Sequence, residues 1–434
     1  MDEQAFPRIL PRSEHSLSRQ KIDLDALKIL YRLHGHGFLA YLVGGCVRDL
    51  LLGKVPKDFD IVTDAHPQQI RELFRNSRLI GRRFRLAHVY FRGGKFIEVA
   101  TFRRRSEFEA IDPENPHLSE NTFGTPAEDA TRRDITINGL FYNIADFSII
   151  DYVGGIEDLQ RGIIRCIGDP EEKYAQDPVR MIRVIRHAAR TGFHIEERTY
   201  EAIFRHVQKI QWCAPARIRD EFLRELREGS AAASMKLMME TGMLFVLFPF
   251  LEKVLTSEEA RTRFLAMLSS LDQITQCGKI PEDEFSLALF LLPAMEVYCP
   301  YAAFPAHRRG WASFLVRIRQ WIHEILGPLQ FTGHAKEGVI QLLGAQKRFR
   351  DFLPHRKIPW HLALNPYFEP ARQIFEIDSK ARGAEVETSS WNIETKKRWP
   401  EKKGRRRSFR KRRFRPHQGP EDGAVHPPPE MGRV

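Results

Sequence analysis

The stretch YLVGGCVRDLLLGKVPKDFDIVT (Tyr41–Thr63) sets a strand, a glycine pair, a helix and two aspartates in close succession. An apolar run, AYLV, feeds into Gly44-Gly45 and then into the helix-like CVRDLLLG. A strand that runs through glycines into a helix leaves bare backbone N–H groups at the helix N-terminus, a natural anion site. Arg48, one turn further on, is expected to reach the same anion with its two-pronged guanidinium. Lys54-Val55-Pro56 then leads into a second expected strand, FDIVT, which carries Asp58 and Asp60. A period of two puts both carboxylates on one face. Adjacent carboxylates repel each other unless a divalent cation lies between them. Paired metal ions of that kind activate a hydroxyl and stabilise a leaving pyrophosphate.

Outward from this core, residues 1–20 read as a mobile, polar lead-in. IDLDALKILYRLHGHG precedes the first strand as a helix, and HPQQIRELFRNS follows the second. LAHVYF and KFIEVATF read as strands that Gly93-Gly94 would join in a hairpin. Residues 103–130 are rich in charge, Pro and Asn and read as a loop. From about residue 170 helical periodicity dominates to about residue 380. The expected organisation is a lead-in (1–20), a mixed α/β head (21–165), a helical neck (166–228), a helical body (229–380) and a disordered tail (381–434). The fold class is α+β.

Apolar residues make up 42% of the 434 and charged residues 29%, enough to bury real cores. No apolar run is long enough to span a membrane, and the N-terminus does not read as a signal peptide. Five scattered cysteines (Cys46, Cys166, Cys213, Cys277, Cys299) show no zinc spacing and read as reduced thiols of a cytoplasmic protein. The net charge of +12 is local. Lys396–Arg415 holds 13 Lys or Arg against Glu401, or 13 − 1 = +12, so the remainder is near neutral.

The run LVGGCVRDLLLG…DFDIVT resembles the head of the bacterial nucleotidyltransferase class that includes CCA-adding enzymes and poly(A) polymerases. That resemblance implies a nucleotidyltransferase-type sheet. It also implies Mg²⁺ (or Mn²⁺, which suits the same hard oxygens) on Asp58 and Asp60, with ATP as substrate. Glu98 in FIEVATFR is a third acid near the metals. EDATRRDITINGLFYNI resembles the next motif, in which Arg133 contacts the nucleotide and Asp134 belongs to the active site. QDPVRMIRVIRHAAR resembles the base-reading helix and assigns Asp177, Arg180, Arg183 and Arg186 to the nucleotide, alongside Gly44, Gly45 and Arg48. Asp177-Pro178 is also a helix start by residue type, with Asp at the N-cap and Pro in the first turn. Arg180, Arg183, Arg186 and Arg190 fall within about 120° of the helix, a cationic stripe with no interleaved acid. The related family has an acid where this chain has Gln176, so base preference is less strictly implied than catalysis. The resemblance covers about residues 40–225, including APARIRDEFLREL in the neck. Trp311, Trp321 and Trp360 beyond it read as packing residues.

LIGRRFRLAHVYF (Leu79–Phe91) resembles the signature of the bacterial poly(A) polymerases within the class, and Arg82, Arg83 and Arg85 are expected on RNA. So is the tail, through Arg405, Arg406, Arg407, Arg410, Lys411, Arg412 and Arg413, which would bind phosphates without sequence preference. Phe409 and Phe414 could stack on unpaired bases. The expected partner is therefore the 3′ end of an RNA (messenger, regulatory or transfer), with no membrane. CCA addition to tRNA is the alternative product, which IRDEF in the neck fits equally. A catalytically dead RNA-binding adaptor is the second alternative, opposed by the intact Asp58, Asp60 and Asp134.

Overall fold

The computed structural model describes residues 7–81, 86–104, 123–352, 357–358, 360–384, 386, 388 and 392–393; those up to Ile393 belong to one compact unit. Arg82, Arg83 and Arg85 lie outside the described residues. So does the tail from residue 394 onward, with Arg405, Arg406, Arg407, Arg410, Lys411, Arg412 and Arg413.

The head runs β1 (Arg8–Leu10), α1 (Leu24–Gly35), β2 (Ala40–Val43), α2 (Gly45–Leu51), β3 (Asp60–Thr63) and α3 (Pro67–Leu73). It continues through β4 (Ser77–Ile80), β5 (Leu86–Tyr90), β6 (Phe96–Thr101), α4 (Pro126–Thr131), β7 (Leu140–Asn143), β8 (Ile149–Asp151) and α5 (Gly155–Arg161). Local chemistry starts the helices. Asp23 accepts from the amides of Asp25 and Ala26 at the head of α1, and Thr125 and Glu128 form a reciprocal capping box on α4. One eight-stranded sheet results, in the order β1-β8-β7-β2-β3-β6-β5-β4. Among the described residues its only parallel pair is β3 with β6, in the register Ile61↔Val99, while β5 and β6 form the expected hairpin through Arg92–Gly94. A large apolar cluster, including Leu30, Val47, Ile70 and Val99, covers one face, and a smaller one, around Tyr41, Val62, Phe102 and Phe141, covers the other.

Three expectations change. The lead-in contributes β1, which pairs with β8 because Ile9 and Leu10 extend a sheet edge that β8 leaves open. The stretch 103–130 contains α4, nucleated by the capping box. β3 begins at Asp60, so Asp58 precedes the strand rather than lying within it.

Beyond the sheet come β9 (Ile163–Ile164), α6 (Pro170–Gln176), α7 (Val179–Thr191), β10 (His194–Ile195), which pairs with β9, α8 (Glu197–His206) and α9 (Pro215–Arg227). The body follows as α10 (Ala231–Glu240), α11 (Met243–Leu247), α12 (Glu258–Gln276), α13 (Asp283–Tyr298), α14 (Arg308–Leu326), α15 (Gly333–Phe352), α16 (Trp360–Ala363) and α17 (Phe368–Ala381). α13 is buried all round from Phe285 to Met295 and forms the axis of the body. A single apolar cluster runs from Ile135 and Ile137 through α7 and α9 into α13 and α17, so neck and body share a core. Trp321 packs within it against Tyr298, and Trp311 lies under the Arg348 guanidinium. The side chain of Trp360 lies outside the described residues. The five cysteines are free thiols, and among the described residues no helix is long and apolar enough to cross a membrane.

Candidate active site

The parallel β3–β6 pairing decides which acids meet. With Ile61 opposite Val99, Asp60 opens β3 beside Glu98, the third residue of β6, and both point away from the buried faces of Ile61 and Val99. Asp58, Asp60 and Glu98 line one open cleft. Glu98 also approaches His88 Nε2 at 3.3 Å across the hairpin. Part of Asp60 faces water, yet protein atoms crowd its carboxyl. This desolvation pushes its pKa up to about 6; Glu98 and Asp58 add to the rise and Arg133 opposes it.

Gly44 bends the chain at φ 75, ψ −140, a conformation closed to side chains, so that α2 starts beside these acids. A β-carbon at Gly44 would lie 3.3 Å from Arg133 Nη1 and 3.9 Å from Asp60 Oδ2. The glycine pair, Arg133 and Asp60 are thus brought together. Arg133 is aimed by Asp129, which accepts from its Nη2 at 2.8 Å and also binds Arg132. Burial pushes the Asp129 carboxyl up, but the guanidiniums of Arg133 and Arg132 together outweigh it and hold it below its ordinary value. Asp129, fully buried, is a residue that sequence reasoning passed over; its spacing of three and four to the two arginines that follow α4 was the available signal.

The structure corrects the role expected of Arg48. Its side chain is wholly buried, donating to Asp49 Oδ1 at 2.7 Å and to Asn138 Oδ1 at 2.8 Å. The fork is spent on joining α2 to the Thr136–Asn138 turn rather than on a phosphate. His187 of α7 completes this junction, with Nε2 3.1 Å from Asn138 Nδ2. Burial, and then Arg48 and the neighbouring arginines, hold His187 well below its ordinary pKa, so it stays neutral.

Asp134 stands apart from the carboxylate trio. It accepts from Arg180 Nη1 at 2.6 Å and from Arg183 Nη1 at 3.0 Å, fixing two of the four arginines of α7. Arg183 also binds Glu221 of α9 at 2.9 Å. Arg186, expected on the nucleotide, is instead buried among Glu221 and Glu225, with Nε 2.7 Å from Glu225 Oε1. Arg190 reaches Asp49 at 2.7 Å. The stripe that lacked acids in its own helix therefore draws them from α9 and α2. No local spacing signalled Glu221 or Glu225.

Asp177 does not cap α7. α6 runs up to Gln176, Pro178 is the N-cap without a side-chain bond, and the Asp177 carboxylate instead accepts from Arg217 at 3.0 Å. Its Oδ1 is buried with no hydrogen-bond partner among the described residues, and Arg180 Nε lies 3.8 Å from Oδ2. An acceptor and a donor thus stand side by side at the N-terminus of α7.

The carboxylates fit a hard divalent cation. They supply only oxygen, repel one another, and face a wet cleft. Among the described residues no three His, Cys, Asp or Glu are grouped to hold a metal ion by themselves.

Residues 40–165 match the family described as the poly A polymerase head domain, and residues 192–255 match the one described as the probable RNA and SrmB-binding site of polymerase A. The chain is 45% identical over 310 residues to poly(A) polymerase I of Salmonella typhimurium (strain LT2), covering 68% of this chain and 66% of that protein. It is 41% identical over 275 residues to poly(A) polymerase I of Haemophilus influenzae, covering 61% of each. Identity to the CCA-adding enzyme of Lactobacillus helveticus is 38% over 202 residues, 46% of this chain and 49% of that one. The chain thus spans just under two thirds of the length of these poly(A) polymerases. A solved apo structure of a CCA-adding enzyme superposes with a TM-score of 0.59 at 21% identity, covering 86% of this chain and 84% of that one, a likeness of fold. The two matched domains, the shared fold and the identity to poly(A) polymerase I place this chain in the tRNA nucleotidyltransferase/poly(A) polymerase family, in its bacterial poly(A) polymerase branch.

Proposed function

We propose that the chain is a template-independent polynucleotide adenylyltransferase that adds AMP from ATP to RNA 3′ ends with release of pyrophosphate. The observation that carries this reading is the meeting of Asp58, Asp60 and Glu98 with Gly44 and Arg133 at the start of α2. Asp58 and Asp60 would hold Mg²⁺ or Mn²⁺, with Glu98 beside them; such ions, when bound, activate the attacking 3′-hydroxyl and neutralise charge on the leaving phosphates. The chain's own groups do the positioning. Gly44 lets the backbone approach the triphosphate closely, and Arg133, aimed by Asp129, offers a fork to its oxygens. Arg180, locked by Asp134, and the unpartnered Asp177 Oδ1 offer donor and acceptor to the base edge, so that the protein replaces a template. Asp134 and Glu221 hold all three guanidinium nitrogens of Arg183, which would reach the nucleotide only through its remaining N–H groups. Arg48 and Arg186 act as supports rather than as nucleotide contacts.

The higher identity to poly(A) polymerase I than to CCA-adding enzymes favours adenylation as the product. The basic tail favours it too, since a sequence-blind grip suits varied RNA ends. The test incubates the protein with an unstructured RNA and with a tRNA lacking its terminal CCA, supplying each nucleotide singly and together. Long A tails on both RNAs support the proposal. Addition of C, C and A confined to the tRNA replaces it with the CCA-adding reading, and RNA binding without incorporation replaces it with an adaptor.

A further inference from the structure

The cleft lined by Asp58, Asp60 and Glu98 has a volume of about 1550 Å³ and is walled on its far side by Arg224 and Arg227 of α9 and by the start of α13. That exceeds the roughly 300–1,000 Å³ of an ordinary small-ligand pocket. Gly44, Arg133, Asp177 and Arg180 do not line it among the described residues. The carboxylates therefore divide two spaces, the nucleotide elements on one side and this cleft on the other. Displacement at phosphorus needs attacking and leaving oxygens roughly in line. With the triphosphate held at Gly44 and Arg133, the acceptor must come from the cleft.

Arg224 stands out on that wall. Arg217 binds Asp177 at 3.0 Å, Arg219 binds Asp220 at 2.8 Å, and Arg227 binds Asp283 at 2.6 Å. Arg224 is exposed and, of the α9 arginines, is the one without a partner among the described residues. Its isolation is unexpected, because Asp220, Glu221 and Glu228 lie at helical spacing from it and such pairs ordinarily form. Each is engaged elsewhere. Arg219 holds Asp220; Arg183 and Arg186 hold Glu221; Arg190 approaches Glu228 at 3.8 Å. These pairings occupy the acids within reach of Arg224 and leave its guanidinium facing the cleft. The lining is not generally basic, since Glu282, Asp283 and Glu284 share it, so a polyanion gains from the unpaired guanidinium rather than from a diffuse field.

We propose that Arg224 holds a backbone phosphate of the acceptor RNA close to its 3′ end, across the cleft from Asp58 and Asp60. The proposal rests on the adenylyltransferase reading for the placement of ATP, while the unpaired, cleft-facing guanidinium is independent of it. The test uses the full chain with a short single-stranded oligoadenylate and ATP. R224A is expected to raise the KM for RNA about tenfold and R224E further, with the KM for ATP unchanged; R224K restores part of the loss, having the charge without the fork. The salt dependence of oligoadenylate binding should fall by about one counterion in R224A. An exposed residue with no partner leaves the melting temperature of all three variants unchanged. A rise in the KM for ATP alone would assign Arg224 to the triphosphate and overturn the proposal, as would unchanged values for both substrates. If the wild-type chain extends no RNA, the adenylyltransferase reading fails, and equilibrium binding of oligoadenylate to wild type and R224A still decides the role of Arg224.

Discussion

The head and the neck treat charge in opposite ways. In the head, Asp58, Asp60 and Glu98 line one open cleft, and desolvation first, then the charges of Glu98 and Asp58, raise Asp60 to about 6. In the neck, Arg183, Arg186 and Arg190 are each met by an acid from another segment: Asp134 and Glu221, Glu221 and Glu225, and Asp49. Unmet charge of one sign is costly to the fold and persists where a ligand supplies the counter-charge. Charge fully met inside the protein marks architecture. The contrast separates Arg133 and Arg180, which keep part of their surface exposed, from Arg48 and Arg186, whose side chains are buried.

The most severe way to test the contrast removes the unmet acids. D58A/D60A should lower nucleotide incorporation by about three orders of magnitude, since metal ions contribute several kcal/mol to charge stabilisation, and should leave the melting temperature nearly unchanged or raised. A large loss of stability would show that these acids are structural. R186M is the mirror experiment. It leaves Glu225 buried without its cation and Glu221 with Arg183 alone, and should cost about 3–5 kcal/mol by chemical denaturation. Adding E221Q and E225Q to R186M should recover much of that loss. Full stability in R186M alone would remove Arg186 from the architecture.

Gly44 connects the two regimes. G44A places a side chain at φ 75 and a carbon 3.3 Å from Arg133 Nη1. About 1–2 kcal/mol of backbone strain is expected, together with a raised KM for ATP as Arg133 is displaced. A KM for ATP equal to wild type would detach Arg133 from the nucleotide. The smallest effect concerns Glu225, whose burial raises its pKa from 4.5 to about 7 against the pull of Arg186. The folded state thus keeps a proton that the unfolded state releases. This stabilisation is fully present below about pH 4.5 and is lost as pH rises through about 7. E225Q should flatten that part of the dependence of melting temperature on pH; an unaltered profile would place the titration elsewhere.

Much of the site lay within single stretches of sequence. Gly44-Gly45, Asp60 and the Gly93-Gly94 hairpin that sets Glu98 opposite His88 are short-range features within reach of glycine chemistry and strand patterning, whereas the period of two did not hold for Asp58, which precedes the strand. The arginine stripe of α7 was equally visible, but its meaning was not. Read alone, Arg180, Arg183 and Arg186 form one cationic face; in the fold they divide between Asp134, Glu221 and Glu225. The cap assigned to Asp177 failed for a related reason, because Arg217, forty residues away, takes the carboxylate that a helix start would have used.

The sequence by itself determined the chemistry: which residues can carry an anion turn, a carboxylate pair and a fork, and that a mixed sheet gives way to helices. These depend on residue type and on neighbours within a few positions. Only the tertiary structure decided which charges remain available. Whether Arg48 grips a ligand or Asn138, and whether Arg224 finds an acid or faces the cleft, depends on competition among groups distant in sequence. Charge pairing acts across a few ångströms of space, and the packing of α7 between the head and α9 is what sets those distances.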